Sequence, residues 1–91
     1  MNAAYARKVD SNQAEIVMAL RAAGASVTDL SRFGHGVPDL LVGYNRRVYL
    51  IEVKSADGKL TPAEQRWQDE WRGQSAVVRT VEQALYVIGA I

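Results

Sequence analysis

Two carboxylates and a lysine stand at a spacing suited to phosphoryl chemistry. The segments Pro38 to Gly43 and Arg47 to Lys54 are apolar enough to be strands, and a short turn near Asn45 and Arg46 joins them. A loop of two or four residues centred there pairs positions whose numbers sum to 91, so Asp39 falls opposite Glu52. Directly opposed side chains on an antiparallel pair have Cβ atoms about 4.5–5.5 Å apart, and like charges at that distance are destabilising. A hard divalent cation such as Mg²⁺ or Mn²⁺ compensates, since it prefers oxygen ligands and takes one or two carboxylates together with water and phosphate.

Lys54 lies two residues beyond Glu52, so it projects from the same face of the same strand. There its ammonium can offset the two acids, hold an attacking water or stabilise charge on a phosphate. Val53 turns its side chain away, but its carbonyl can reach a cation from the strand edge. Two acids, a carbonyl and a lysine on one patch meet the needs of metal-assisted phosphodiester hydrolysis. In the ordinary alternative, Asp39 caps a turn and Glu52 pairs with Lys54 on a solvated face. That alternative has to account for charges at the end of a strand whose Val48 and Leu50 on one side, and Tyr49, Ile51 and Val53 on the other, read as covered on both faces.

The surrounding elements follow from local signals. Asp10 or Ser11 can cap a helix running to about Ala23, with Ile16, Leu20 and Ala23 as its inward stripe and Gly24 as its stop. Ser26 to Leu30 reads as a short strand, and Ser31 to Gly36 as a turn. After the polar loop Ser55 to Leu60, Thr61-Pro62-Ala63-Glu64 sets a capping Thr, Pro at the first helical position and Glu at the third, which starts a helix running to about Arg72. Ser75 to Arg79 is a fourth strand, and Thr80 caps a last helix with Gln83 in the capping-box position. The fold class is α/β: the order αβββαβ(α) predicts one four-stranded mixed sheet flanked by helices over residues 1–91, with residues 1–9 a loosely held arm.

Composition narrows the setting. The 91 residues are 48% hydrophobic and 23% charged, as in an ordinary globule. There is no cysteine, which excludes disulfides and thiolate zinc sites. No apolar run approaches the roughly 18 residues of a membrane span, so no membrane association is expected. The opening MNAAYARKVD lacks a signal-peptide core, and the cytoplasm is the default expectation. A net charge of +1 does not by itself indicate a nucleic-acid binder, so a DNA partner must be argued from the local site. Arg32, Arg46, Arg47, Lys54, Lys59 and Arg66 bracket the middle of the chain.

These residues together resemble a known family. Gly36-Val37-Pro38-Asp39, twelve residues, then Glu52-Val53-Lys54 resembles the PD-(D/E)XK nucleases with their restriction-endonuclease-like core. GVPDLLVG, YLIEVK, KLTPAEQRW and VVRTVEQAL are similar to the VRR-NUC family in particular. The resemblance implies a Mg²⁺- or Mn²⁺-dependent deoxyribonuclease with Asp39, Glu52 and the Val53 carbonyl as metal ligands and Lys54 as the catalytic lysine. By the same resemblance, Glu15 on the first helix completes the site through a water. Gln65, after the site, lies near the scissile phosphate. The family implies a phage or bacterial stand-alone domain, a homodimer, and duplex or branched DNA, including Holliday junctions, as partner. Arg32 and His35 are weaker candidates for phosphate contact. Trp67 and Trp71, four apart on one helix face, read as core or dimer-interface residues. The rival function is a catalytically silent DNA-binding or subunit-interaction domain on the same fold. The intact Asp39, Glu52 and Lys54 argue against it. A restriction-type or RNA-directed nuclease is a further alternative, though sequence-specific recognition normally needs more chain for base-edge contacts.

Overall fold

The computed structural model describes residues 11–91. The predicted N-terminal arm and the candidate cap Asp10 lie outside the described residues. The elements run α1 (Gln13–Ala22), β1 (Ser26–Asp29), β2 (Leu40–Tyr44), β3 (Arg47–Val53), α2 (Pro62–Glu70), β4 (Ala76–Val78) and α3 (Val81–Val87). One four-stranded sheet has the order β1-β2-β3-β4. β1 and β2 are antiparallel, as are β2 and β3, while β3 and β4 are parallel. The mixed sheet expected from the element order is therefore present.

The register between β2 and β3 is the one the turn dictates. Leu40 pairs with Ile51 and Tyr44 with Arg47, leaving Asn45 and Arg46 as a two-residue connection. Both turn residues have positive φ, 51° and 63°, the signature of a type I′ turn whose twist matches the strands.

α1 ends as its sequence requires. Gly24 (φ 100°) follows the helix, its N–H bonds to the Arg21 carbonyl, and the Ala25 N–H reaches back to Leu20. This is a Schellman closure that uses the positive φ open to glycine. The start of α1 differs from expectation. Asn12 stands at the N-cap position, and its side chain caps nothing in the helix. It donates instead to the carbonyls of Lys54 (3.1 Å) and Arg79 (2.9 Å), tying α1 to the ends of β3 and β4.

The core is Ile16 and Leu20 of α1, Leu40, Val42, Ile51, Val53 and Val78 of the sheet, and Ala84 and Ile88 at the C-terminal end. All lie on one side of the sheet, under α1 and α3. The other side is not covered along its length. Val48 is 68% exposed, and Leu41 and Val77 are exposed too. The expectation that β3 is covered on both faces is thus corrected. α2 buries none of its residues, so it leaves the N-terminal half of that face open. Only the Glu52 and Lys54 end is closed over.

α2 starts with a full capping box. Thr61 Oγ1 accepts from the Glu64 N–H (3.1 Å), and Glu64 Oε1 accepts from the Thr61 N–H (2.9 Å). The helix stops at Glu70, earlier than Arg72, because Trp71 turns extended, stacks on Trp67 and donates its indole N–H to the Gln74 carbonyl. Neither indole is a core residue. At α3, Thr80 caps the Gln83 N–H (3.0 Å), but the Gln83 side chain accepts from Arg79 rather than from the cap residue.

Candidate active site

The Asp39–Glu52 pair sits where β2 and β3 begin to diverge. The Leu30 N–H bonds to the Asp39 carbonyl at 2.7 Å, closing the 31–38 loop and fixing the Asp39 backbone one step before β2. The Asp39 side chain then reaches β3, where its Oδ2 accepts from the Val53 N–H at 2.9 Å. In an extended strand the N–H and C=O of one residue point to the same edge. The Val53 carbonyl therefore faces the edge from which Asp39 approaches. One step on, the Lys54 N–H turns the other way, to the Val78 carbonyl of β4 (2.9 Å).

Glu52 and Lys54 share the opposite face from Ile51 and Val53, and both are buried. Glu52 is 1% exposed, Lys54 8% and Asp39 7%, which removes the reading of an ion pair on a solvated face. Glu52 Oε1 is buried without a hydrogen-bond partner. Burial, followed by the neighbouring Asp39 and Glu64 carboxylates and a hydrogen bond with Asp39, pushes the Glu52 carboxyl up to about 9, against the pull of Lys54. A buried carboxyl in that position either keeps its proton or needs a cation.

A third carboxylate closes the site. Lys54 Nζ lies 2.7 Å from Glu64 Oε1 and 3.8 Å from Glu52 Oε2. Burial works to raise the Glu64 carboxyl, but the hydrogen bonds from Lys54 and from the Thr61 backbone outweigh it and hold the group below its ordinary value. The first turn of α2 is seated on Gly36. This residue has φ 80°, and a Cβ there would run into the Ala63 carbonyl. No other residue allows the helix start to come this close, and that approach brings Glu64 to Lys54.

The loop after Lys54 is held from β4. Arg79 Nη1 donates to the carbonyls of Ser55 (2.7 Å) and Gly58 (2.6 Å). With Asn12 on the Lys54 carbonyl, this fixes the backbone on which the lysine rides.

The structure thus brings Asp39, Glu52, Val53 and Lys54 together. Among the described residues, no hydrogen bond or ion pair joins Glu15 or Gln65 to them. Glu15 is exposed on the first turn of α1, where the inward positions are Gln13, Ile16 and Leu20. Gln65 is exposed and donates to Asp69 at 2.9 Å. Successive helical residues are turned by about 100°, so with Glu64 aimed at Lys54 its neighbour takes a different direction. Arg32 and His35 are exposed on the 31–38 loop. Sequence reasoning missed Glu64, which read only as half of a capping box, although a helix starting directly after the loop from Lys54 was a signal. It also missed Asn12 and Arg79, whose targets are backbone carbonyls that no side-chain pattern marks.

The donor set suits a hard divalent cation. It offers two carboxylates, one with an unsatisfied buried oxygen, and a carbonyl on the same edge. Among the described residues no three His, Cys, Asp or Glu side chains are grouped to hold a metal, so solvent would supply the remaining ligands.

A family model described as VRR-NUC domain matches residues 3–83. A solved structure described as a VRR_NUC domain is similar to this chain with a TM-score of 0.67 and 28% identity, covering 85% of this chain and 94% of that one. No curated protein sequence matches. No helix among the described residues is long and apolar enough to cross a membrane.

Proposed function

The chain belongs to the VRR-NUC family, and from that premise we propose that it is a Mg²⁺- or Mn²⁺-dependent DNA endonuclease. The observation that carries this reading is Glu52 Oε1, a buried carboxylate oxygen with no partner, beside the carboxylate of Asp39. Asp39, Glu52 and the Val53 carbonyl would hold the cation. When bound, it polarises the phosphate and makes water a better nucleophile at neutral pH.

The protein's own groups do the rest. The proton on Glu52 leaves before both carboxylates can act as ligands. Asp39 holds the strand at the Val53 N–H, and the Lys54 N–H bond to the Val78 carbonyl fixes the peptide that carries the Val53 carbonyl. The Lys54 ammonium places a fixed positive charge beside the reacting phosphate, where charge grows in the transition state. A water oxygen attacks phosphorus, the bond to one bridging oxygen breaks, and a proton passes to that leaving oxygen.

The finer reading is a structure-selective enzyme acting as a two-fold homodimer on branched DNA such as a Holliday junction, in a bacterial or phage-infected cytoplasm. A net charge of +1 gives one subunit weak hold on phosphates, and two symmetric sites suit paired nicks across a junction. The test is cleavage of single-stranded, duplex, flap and four-way-junction DNA with Mg²⁺ or Mn²⁺. Cutting that needs the cation and is lost in Asp39→Ala supports the proposal. Binding without cutting on every substrate favours the catalytically silent alternative.

A further inference from the structure

The Lys54 ammonium has two carboxylates within reach and stands against the one that is no expected metal ligand, 2.7 Å from Glu64 and 3.8 Å from Glu52. The Glu64 oxygen that receives it, Oε1, also accepts from the Thr61 N–H. That oxygen is therefore fixed by the start of α2, and α2 is fixed by its seat on Gly36. A lysine ammonium is a point charge on a flexible four-carbon stem. Released from Glu64, it would settle on the remaining carboxylate nearby. That is Glu52, whose Oε1 is buried and unpartnered.

We propose that Glu64 is a positioning residue that holds the Lys54 ammonium on the α2 side of the site, at 2.7 Å, and keeps it from closing the longer 3.8 Å approach to Glu52. The lysine is thereby kept close enough to assist the reaction without taking the cation's place. The inference rests on the reading of Asp39 and Glu52 as cation ligands and adds to it the group that keeps them available.

Glu64→Gln tests it, because glutamine at this helix position preserves both capping-box bonds and can still hydrogen-bond the neighbouring Glu52 side chain, while it removes the charge that holds Lys54. The readouts are the melting temperature under Mn²⁺ titration and steady-state cleavage. In Glu64→Gln the half-saturating Mn²⁺ concentration should rise about tenfold or more, in the range seen when an outer partner of a metal ligand is lost. The kcat should fall while the KM for DNA stays within about twofold. Thr61→Ala, which loses a capping bond but leaves the ion pair, should lower the metal-free melting temperature and leave the half-saturating concentration at the wild-type value.

A double-mutant cycle separates positioning from simple charge attraction. In a Lys54→Met background, Glu64→Gln should leave Mn²⁺ binding unchanged, since no ammonium remains to be held. An equal loss in that background assigns the effect to the charge of Glu64 acting on the cation directly and overturns the proposal. So does Glu64→Gln with wild-type half-saturation and kcat. A wild-type protein whose melting temperature ignores Mn²⁺ overturns the cation reading itself, an outcome distinct from either.

Discussion

The Asp39 carboxylate accepts a hydrogen bond from the Val53 amide on the neighbouring strand at 2.9 Å, so one side chain both faces Glu52 and ties itself to the residue whose carbonyl would join the site. Asparagine can keep that hydrogen bond through its amide oxygen while losing the charge. Asp39→Asn should therefore fold, and its metal-free melting temperature should fall less than that of the wild type as pH rises toward 9, because a charge that opposes ionisation of Glu52 is gone. The stabilisation by Mn²⁺ should vanish. At a hundredfold excess over Kd a ligand adds about 2.7 kcal/mol, on the order of 10–20 °C for a domain of this size. Differential scanning calorimetry with and without Mn²⁺ decides it, and an undiminished shift in Asp39→Asn removes the site.

Loss of charge at Lys54 or Glu52 should affect turnover far more than folding. Lys54→Ala and Glu52→Gln should each lower kcat by about a hundredfold or more, the scale of losing one preorganised charge-stabilising group. Circular dichroism should stay native. Single-turnover cleavage is the measurement, and a wild-type rate in Lys54→Ala ends the proposed mechanism.

The pH dependence has opposite signs at the two glutamates. Folding raises the Glu52 carboxyl from 4.5 to about 9. Between those values the folded chain holds a proton that the unfolded chain has lost, so this stability is full below about pH 4.5 and drains away as pH rises toward 9. Glu64 is lowered from 4.5 by its partners, so its contribution is present above that value and is lost as pH falls below it. The metal-free melting temperature should decline from pH 5 to 9, and less steeply in Asp39→Asn. Cation binding should displace a proton and tighten as pH rises, which calorimetry in two buffers of different ionisation heat would show. A metal-free protein that gains stability across this range contradicts the assignment.

How much of this was legible depended on how local each signal was. The Asn45-Arg46 turn and the apolar runs on either side were enough to place Asp39 opposite Glu52, because a two-residue loop leaves a single register. Thr61 and Glu64 marked the start of α2 for the same local reason. Long-range features were not legible. That Glu64 rather than Gln65 meets Lys54 depends on Gly36 letting α2 dock at one rotation. The apolar alternation of β3 suggested burial of both faces, yet Val48 is exposed because α1 and α3 both pack on the same side.

The hairpin turn offers a stability test away from the site. Arg46 holds φ 63° with a side chain, at the second central position of the turn. Arg46→Gly creates the Asn-Gly pair that type I′ turns prefer. Relief of the left-handed penalty exceeds the entropy cost of glycine, so a gain of about 0.5–1 kcal/mol is expected, roughly 2–8 °C in Tm. Cation binding should not change. A lower melting temperature would show that the Arg46 side chain contributes more than its backbone strain costs.

The proposed dimer can be tested on the C-terminal apolar surface. Tyr86 is 74% exposed and Ile91 67%, and with Val77 they line a groove between α3 and β4, the edge strand of the sheet. A chain of 10.0 kDa with so much apolar surface at one edge gains by pairing that edge with a second copy. Light scattering at micromolar concentration should give about twice the chain mass. Tyr86→Lys with Ile91→Lys should return it to a single chain while keeping the Mn²⁺-induced rise in melting temperature, because the site lies wholly within one subunit. The same double variant should nick a four-way junction on one strand at a time and lose the paired cuts. A wild-type mass near 10.0 kDa refutes the dimer. A double variant that stays dimeric moves the interface to another face, with the open sheet surface around Leu41 and Val48 next to be tested.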